Sequence, residues 1–174
     1  MSKYNINSKQ GFTIIEVVLV LAIAGLIFLM VFIALPNLQR SQRDTQRRND
    51  YSALSAGLVQ YMTNNNGKMP AACTATSAAC KSLATLLNST GEGPSGNPYT
   101  VTVKVATAAG TETVSAVDGV TIIEKAQCGD LTAAASVGGT GGKATYTLKT
   151  GERNFIIVGY VENTPGVYCY SSNQ

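Results

Sequence analysis

The sequence predicts an α+β chain, a long N-terminal α-helix whose first half can span a membrane and whose second half packs on a C-terminal antiparallel β-sheet. Three observations carry that prediction. Residues 17–35 are uncharged and rich in Val, Leu, Ile and Phe. Residues 37–63 mix polar and apolar side chains, with Tyr51, Leu54, Leu58 and Tyr61 recurring every three or four positions on one helical face. The second half breaks into short β-branched runs punctuated by Gly, Pro and Asn. A long helix followed by strands is the α+β order.

The helix is expected over residues 12–64. At about 1.5 Å per residue, 17–35 is just long enough to cross a hydrocarbon core of roughly 30 Å, and Pro36 closes the apolar run. Asp44 with Arg48 and Arg47 with Asp50 have the i,i+4 and i,i+3 spacings of surface ion pairs. Arg40, Arg43 and Arg47 share the stripe that Tyr51 continues, so one face is basic first and apolar later. A globular domain should therefore cover the helix only from about Tyr51 onward. Asn64-Asn65-Asn66-Gly67, with Pro70 beyond, is a stop signal.

Residues 65–174 are expected to form the globular part. Residues 81–87 read as a short helix and 91–98 as a turn-rich connection. Thr100–Val105, 121–124, 145–149, 154–161 and 166–170 read as strands, the last after a Pro165-Gly166 turn. Lys149-Thr150-Gly151-Glu152 has the look of a hairpin connection. The GGTGG run at 138–142 reads as a flexible loop.

Composition narrows the function. The 174 residues suit one modest domain plus an extension. Of 13 basic residues, Lys3 and Lys9 lie before Gly11, and the rest nearly balance the 10 acidic ones. No global basic field exists of the kind nucleic-acid binders carry. Histidine is absent, which removes the commonest general base and metal ligand and weighs against an enzyme. No cofactor and no metal are expected. Cys73, Cys80, Cys128 and Cys169 fit no zinc spacing; an even set beyond an apolar span reads as two disulfides in an oxidising compartment. Four cysteines allow three connectivities. The short loop favours Cys73–Cys80, leaving Cys128–Cys169, although spacing alone leaves the pairing open.

The N-terminus holds the informative constellation: a short basic segment ending in Gly11, the run Phe12-Thr13-Ile14-Ile15-Glu16, and the uncharged span behind it. A secretory signal would need an unusually long apolar core and a cut awkwardly close to Pro36. No cysteine follows the span, so a lipoprotein signal is excluded. A plain single-span anchor explains the hydrophobicity but gives Glu16 no role. A carboxylate at the head of a membrane helix costs up to a few kcal/mol on insertion scales, and such a charge is usually functional or paired. A cut after Gly11 would give Phe12 a new amine four residues from Glu16. Pairing across subunits would set register, because a slipped neighbour leaves a carboxylate unpaired among apolar side chains.

Gly11-Phe12-Thr13-Ile14-Ile15-Glu16-Val17 resembles the processing and methylation site of type IV prepilins and the related pseudopilins. The resemblance covers about residues 8–64. It implies a pilin fold: a 1–11 leader, a 12–64 helix with 17–35 transmembrane, and a 65–174 globular domain with a four-stranded antiparallel sheet. It further implies a membrane prepilin peptidase that cuts after Gly11 and methylates Phe12, with Thr13 as the small polar neighbour and Glu16 as the assembly carboxylate. Other pilin subunits would then be the partners, in the cytoplasmic membrane before assembly and in an extracellular pilus afterwards, serving adhesion or twitching motility. The alternative is a pseudopilin of a type II secretion or DNA-uptake machine.

Two features depart from the pattern. Pro36 lies about one turn beyond the family's usual proline; with Gly25 it would bracket a segment prone to kink or melt, although Gly25 equally suits close packing of membrane helices. Arg40, Arg43, Arg47 and Arg48 outnumber Lys3 and Lys9, against the positive-inside rule; the resemblance and the cysteines nonetheless put the leader in the cytoplasm. Three bland readings stand against sharper ones. The arginine stripe is more often a solvated or salt-bridged face than a DNA or lipid surface, so nucleic acid is a disfavoured partner. Asn88-Ser89-Thr90 matches a glycosylation sequon by a short, common pattern. Tyr160, Tyr168 and Tyr170 suit core or edge-strand packing better than an exposed contact. A membrane-tethered binding domain is the third functional reading, and an enzyme a distant fourth.

Overall fold

The structure, a computed structural model, describes residues 11–114, 117–133, 141–149, 151, 153–163 and 166–172. Residues 1–10, including Lys3 and Lys9, lie outside these, as do Thr150, Glu152, Pro165 and the 138–140 part of the glycine-rich run. The chain is α+β: α1 (Ile14–Asn64), α2 (Ala78–Ala84), then β1 (Thr100–Val105), β2 (Gly110–Val114), β3 (Gly119–Glu124), β4 (Ala126–Ala133), β5 (Gly142–Leu148), β6 (Phe155–Tyr160) and β7 (Val167–Ser171). Residues 1–39 and 40–174 form separate compact units.

In the first unit, helical geometry begins at Ile14 and continues through Gly25 and Pro36. Its large apolar side chains stand exposed, Phe12 at 86% and Phe32 at 72%. A helix uncharged over residues 17–35 and exposed there is long and apolar enough to cross a membrane.

In the second unit, two sheets lie in layers. β1-β3-β6-β7 form a four-stranded sheet and β2-β5-β4 a three-stranded one. The expected single antiparallel sheet needs correcting: β1 pairs with β3 in parallel, while every other pairing is antiparallel. A direct turn cannot join parallel neighbours, and the excursion between β1 and β3 is spent on β2 in the second sheet. β6 explains the layering. All six of its residues are buried; Phe155 and Ile157 pack with Tyr51, Leu54 and Leu58 of α1, while Ile156, Val158 and Tyr160 pack with Val114 and Ala144 of the other sheet. A strand covered on both faces reads as a continuous apolar run.

Several boundaries differ from expectation. α2 starts three residues early because Ser77 caps it, its hydroxyl accepting from the Cys80 amide. β5 and β6, the strands on either side of residues 149–152, belong to different sheets and do not pair as the expected hairpin. β2 and β4 were not foreseen. GTETV lacks apolar alternation, and AQCGDLTA carries Gly and Asp with little β preference; partners on β5 hold both in register, with a bulge between Cys128 and Leu131. Gly142, expected in a loop, opens β5.

The α1 stop is where the sequence puts it. Asn66 and Gly67 are left-handed, at φ 56° and 83°, and the Gly67 amide donates back to the Met62 carbonyl at 2.7 Å. The buried stripe ends on Met62 rather than Tyr61, because a step of four from Leu58 stays closer in phase with a 3.6-residue turn than a step of three. Cover also begins earlier than Tyr51: Asp44, Arg47 and Asp50 are buried.

Candidate processing and assembly site

Gly11, Phe12 and Thr13 precede α1, and the Thr13 carbonyl accepts from the amides of Glu16 and Val17 at 3.1 and 3.4 Å. Glu16 therefore sits in the first turn, where the positive end of the helix dipole favours a carboxylate. The preference is local, since the amides of a first turn have no helical partner. Phe12, Glu16, Val17, Val20 and Leu21 line one shallow concavity. A Cβ on Gly11 would meet no described atom within 4 Å, and the same holds at Gly25. Packing of the described fold thus places no demand on either glycine. Glu16 and Phe12 are brought to one helical face, and Phe12 is presented to the surroundings.

A second charged constellation lies in the domain, and the sequence reading missed it. Arg47 is fully buried. Its Nη1 donates to Glu162 Oε1 at 2.9 Å and Asp44 Oδ1 at 3.4 Å, its Nε to Asp118 Oδ1 at 3.2 Å, and its Nη2 to Ser95 Oγ at 2.9 Å. The guanidinium also stacks 5.0 Å from the Tyr160 ring centre. Arg43 forks onto the Glu162 carboxylate at 2.6 and 2.7 Å, a bidentate geometry. Asp44 accepts from the amides of Glu162 and Asn163 and from the Asn163 side chain.

The expected Asp44–Arg48 and Arg47–Asp50 pairs are thereby replaced. Asp44 and Arg47 turn inward to loops, Asp50 accepts from Tyr99 at 2.8 Å and Asn88 at 3.3 Å, and Arg48 stacks on Tyr168. The periodicity was legible, since 44, 47, 51, 54 and 58 keep one helical phase. Charge on that stripe pointed to solvent only because the distant partners Asp118 and Glu162 are invisible to local spacing. The arginine stripe is accordingly half internal, with Arg40 and Arg48 left exposed.

The electrostatics follow from this packing. Hydrogen bonds from Arg43, opposed by burial and reinforced by Arg47, pull the Glu162 carboxyl down to about 2. Burial would lower the Arg47 pKa, but the Glu162 and Asp118 contacts outweigh it and raise the group above its ordinary value. Asp50 moves the other way: burial raises it, and the Tyr99 and Asn88 hydrogen bonds only temper the rise. Asp118 adopts a left-handed φ of 63°, and one of its buried oxygens has no partner among the described residues.

The cysteines form two bonds, Cys73–Cys80 beside α2 and Cys128–Cys169 between the two sheets. Asn88, the sequon residue, is half-buried and its amide donates to both Asp50 and the Glu92 carbonyl. Tyr160 is buried, and Tyr168 and Tyr170 pack partly buried against the core. Among the described residues no group of three or more His, Cys, Asp or Glu is arranged to hold a metal.

Compared with known families, the chain matches the model of the prokaryotic N-terminal methylation motif over residues 6–32. That motif is the class III leader of type IV pilins, and over this N-terminal stretch it supports a pilin-like or pseudopilin protein. Neither the curated proteins nor the solved structures compared with it give a match.

Proposed function

We propose that the chain is the precursor of a type IV pilus subunit, cut after Gly11 by a prepilin peptidase, methylated at Phe12 and polymerised through Glu16. The observation that carries this reading is the methylation motif at 6–32 on a segment where Glu16 occupies the first turn of an exposed apolar helix. In such a helix a lone carboxylate is unfavourable in hydrocarbon. The amine freed at Phe12 of a neighbouring subunit would neutralise it, with Thr13 packing beside the junction. The membrane holds the chain through 17–35 before assembly, and the domain that follows forms its disulfides on the far side. Gly25 and Pro36 would let this segment kink or melt in the fibre.

Intact mass of the chain recovered from sheared surface fibres tests the proposal. A chain that begins at Phe12, carries one extra methyl and lacks four hydrogens supports it. One that begins at Met1 or near Asn37 defeats it. The motif is shared with pseudopilins, so a processed chain that stays in the cell envelope and is absent from sheared fibres would assign it to a secretion or DNA-uptake machine.

A further inference from the structure

The α1 stop carries a reactive pair. Asn66-Gly67 is the one place in the sequence where glycine follows asparagine, and Asn66 is exposed. In such a pair the glycine nitrogen can attack the side-chain amide carbon, because no Cβ obstructs the approach. The geometry of the stop sets when this happens. Asn66 and Gly67 hold φ values of 56° and 83°, left-handed conformations that Asn and Gly tolerate best. The nucleophile is occupied, since the Gly67 N–H donates to the Met62 carbonyl at 2.7 Å and Gly67 is buried. Met62 sits in the core, and Met69, on the other side of the stop, packs against the same cluster. The bond is thus fastened from both sides. Hydroxide must reach the N–H before the nitrogen can attack, as it must for hydrogen exchange, so both reactions wait for the turn to open.

We propose that Asn66 is a site of spontaneous deamidation, held silent by the α1 stop and released when that stop opens. In the open turn the Gly67 nitrogen gives its proton to hydroxide and bonds to the Asn66 Cγ. The bond from Cγ to the side-chain nitrogen breaks, and that nitrogen leaves as ammonia after taking a proton from water. Water then opens the resulting succinimide, at Cγ to give aspartate or at the backbone carbonyl to give isoaspartate. One water is consumed and one ammonia released.

Neither product restores the stop. Isoaspartate lengthens the backbone by one carbon and shifts the Gly67 N–H away from Met62. Aspartate sets a carboxylate beside the negative end of the helix dipole. The change is one-way, so it records past opening of the junction between α1 and the segment that follows. Asn64 and Asn65 are each followed by asparagine, and the Asn65 side chain donates to the Tyr61 carbonyl at 2.8 Å, so the same stretch supplies its own controls. No part of the processing motif enters here, and a failed filament assay leaves the site standing.

Peptide mapping by mass spectrometry of the full chain in neutral detergent, aged in mildly alkaline buffer with and without guanidinium chloride, tests the proposal. Gain of a single mass unit at Asn66 should be at least about tenfold slower in the folded chain than in denaturant, as expected of chemistry gated by local opening. Its rate in the folded chain should track hydrogen exchange at the Gly67 amide. Met69→Ala leaves the nucleophile intact and loosens its fastening, so it should speed the reaction in the folded chain and leave the denatured rate unchanged. Equal rates in folded and denatured chains would overturn the proposal. So would conversion of Asn64 or Asn65 ahead of Asn66 in denaturant, or a Met69→Ala chain whose Gly67 amide exchanges faster while Asn66 ages no faster.

Discussion

Single residues in this fold carry more than their local pattern suggests. Gly159 is one. A Cβ there would collide with the Tyr51 ring, whose hydroxyl donates to the Tyr160 carbonyl at 2.9 Å and whose face stacks on Tyr168. Gly159→Ala should therefore destabilise the domain by about 1–3 kcal/mol through overpacking, read as a lowered urea midpoint. Arg47 is another. Arg47→Met would strand the buried Asp118 carboxylate and should cost about 3–5 kcal/mol. Adding Asp118→Asn should restore part of that loss, because the two side chains are coupled; equal and additive losses would refute the coupling.

The same cluster sets a pH dependence. The Glu162 pKa is depressed in the fold, so its contribution is present above the ordinary carboxylate range and is lost as pH falls from about 4.5 towards 2. Asp50 is raised, so its ionised form weakens the fold at neutral pH and protonation relieves it first. Thermal melts should hold or rise slightly on mild acidification and then drop below about pH 4. Glu162→Gln should abolish most of that acid drop while lowering stability at neutral pH.

Among the elements, α1 was legible nearly to the residue because it announces itself twice, by an uncharged run and by an Asn-Gly stop. β1 was equally plain, since TVTVKV alternates while Val101 and Val103 turn inward. β2 and β4 were not, because their stability comes from pairing with β5 rather than from their own residues. Likewise, the candidate residues Gly11, Phe12, Thr13 and Glu16 lie within one six-residue run and could be read directly, whereas the Arg47 cluster joins positions up to 119 apart and needed the fold. The covalent bonds differ in reach in the same way. Cys128–Cys169 closes a separation of 41 residues and Cys73–Cys80 one of 7. In the chain-entropy picture these are worth about 4 and about 2 kcal/mol, so paired Cys→Ser replacement of the first should lower the melting temperature more than that of the second.

At the scale of the molecule, the proposed assembly role of Glu16 predicts a separation of two properties. Glu16→Ala should remain membrane-inserted and be cut after Gly11, since removing a charge eases insertion, yet yield no fibres by electron microscopy of sheared material. Fibres of normal abundance would remove Glu16 from assembly. Gly11→Ala tests the other half. Packing leaves room for a methyl group at Gly11, so the domain's melting temperature should not move, and accumulation of uncut chain would place the demand for glycine on the peptidase.

The bond between β4 and β7 has a mechanical corollary. A pull that enters through α1 and leaves beyond residue 172 passes across the Cys128–Cys169 sulfurs, so β5 and β6 sit inside a closed covalent ring and carry none of the through-chain load. At about 3.4 Å per residue, that ring withholds on the order of 140 Å of contour from any stretching. Oxidised chains held in an optical trap should lengthen far less than reduced ones.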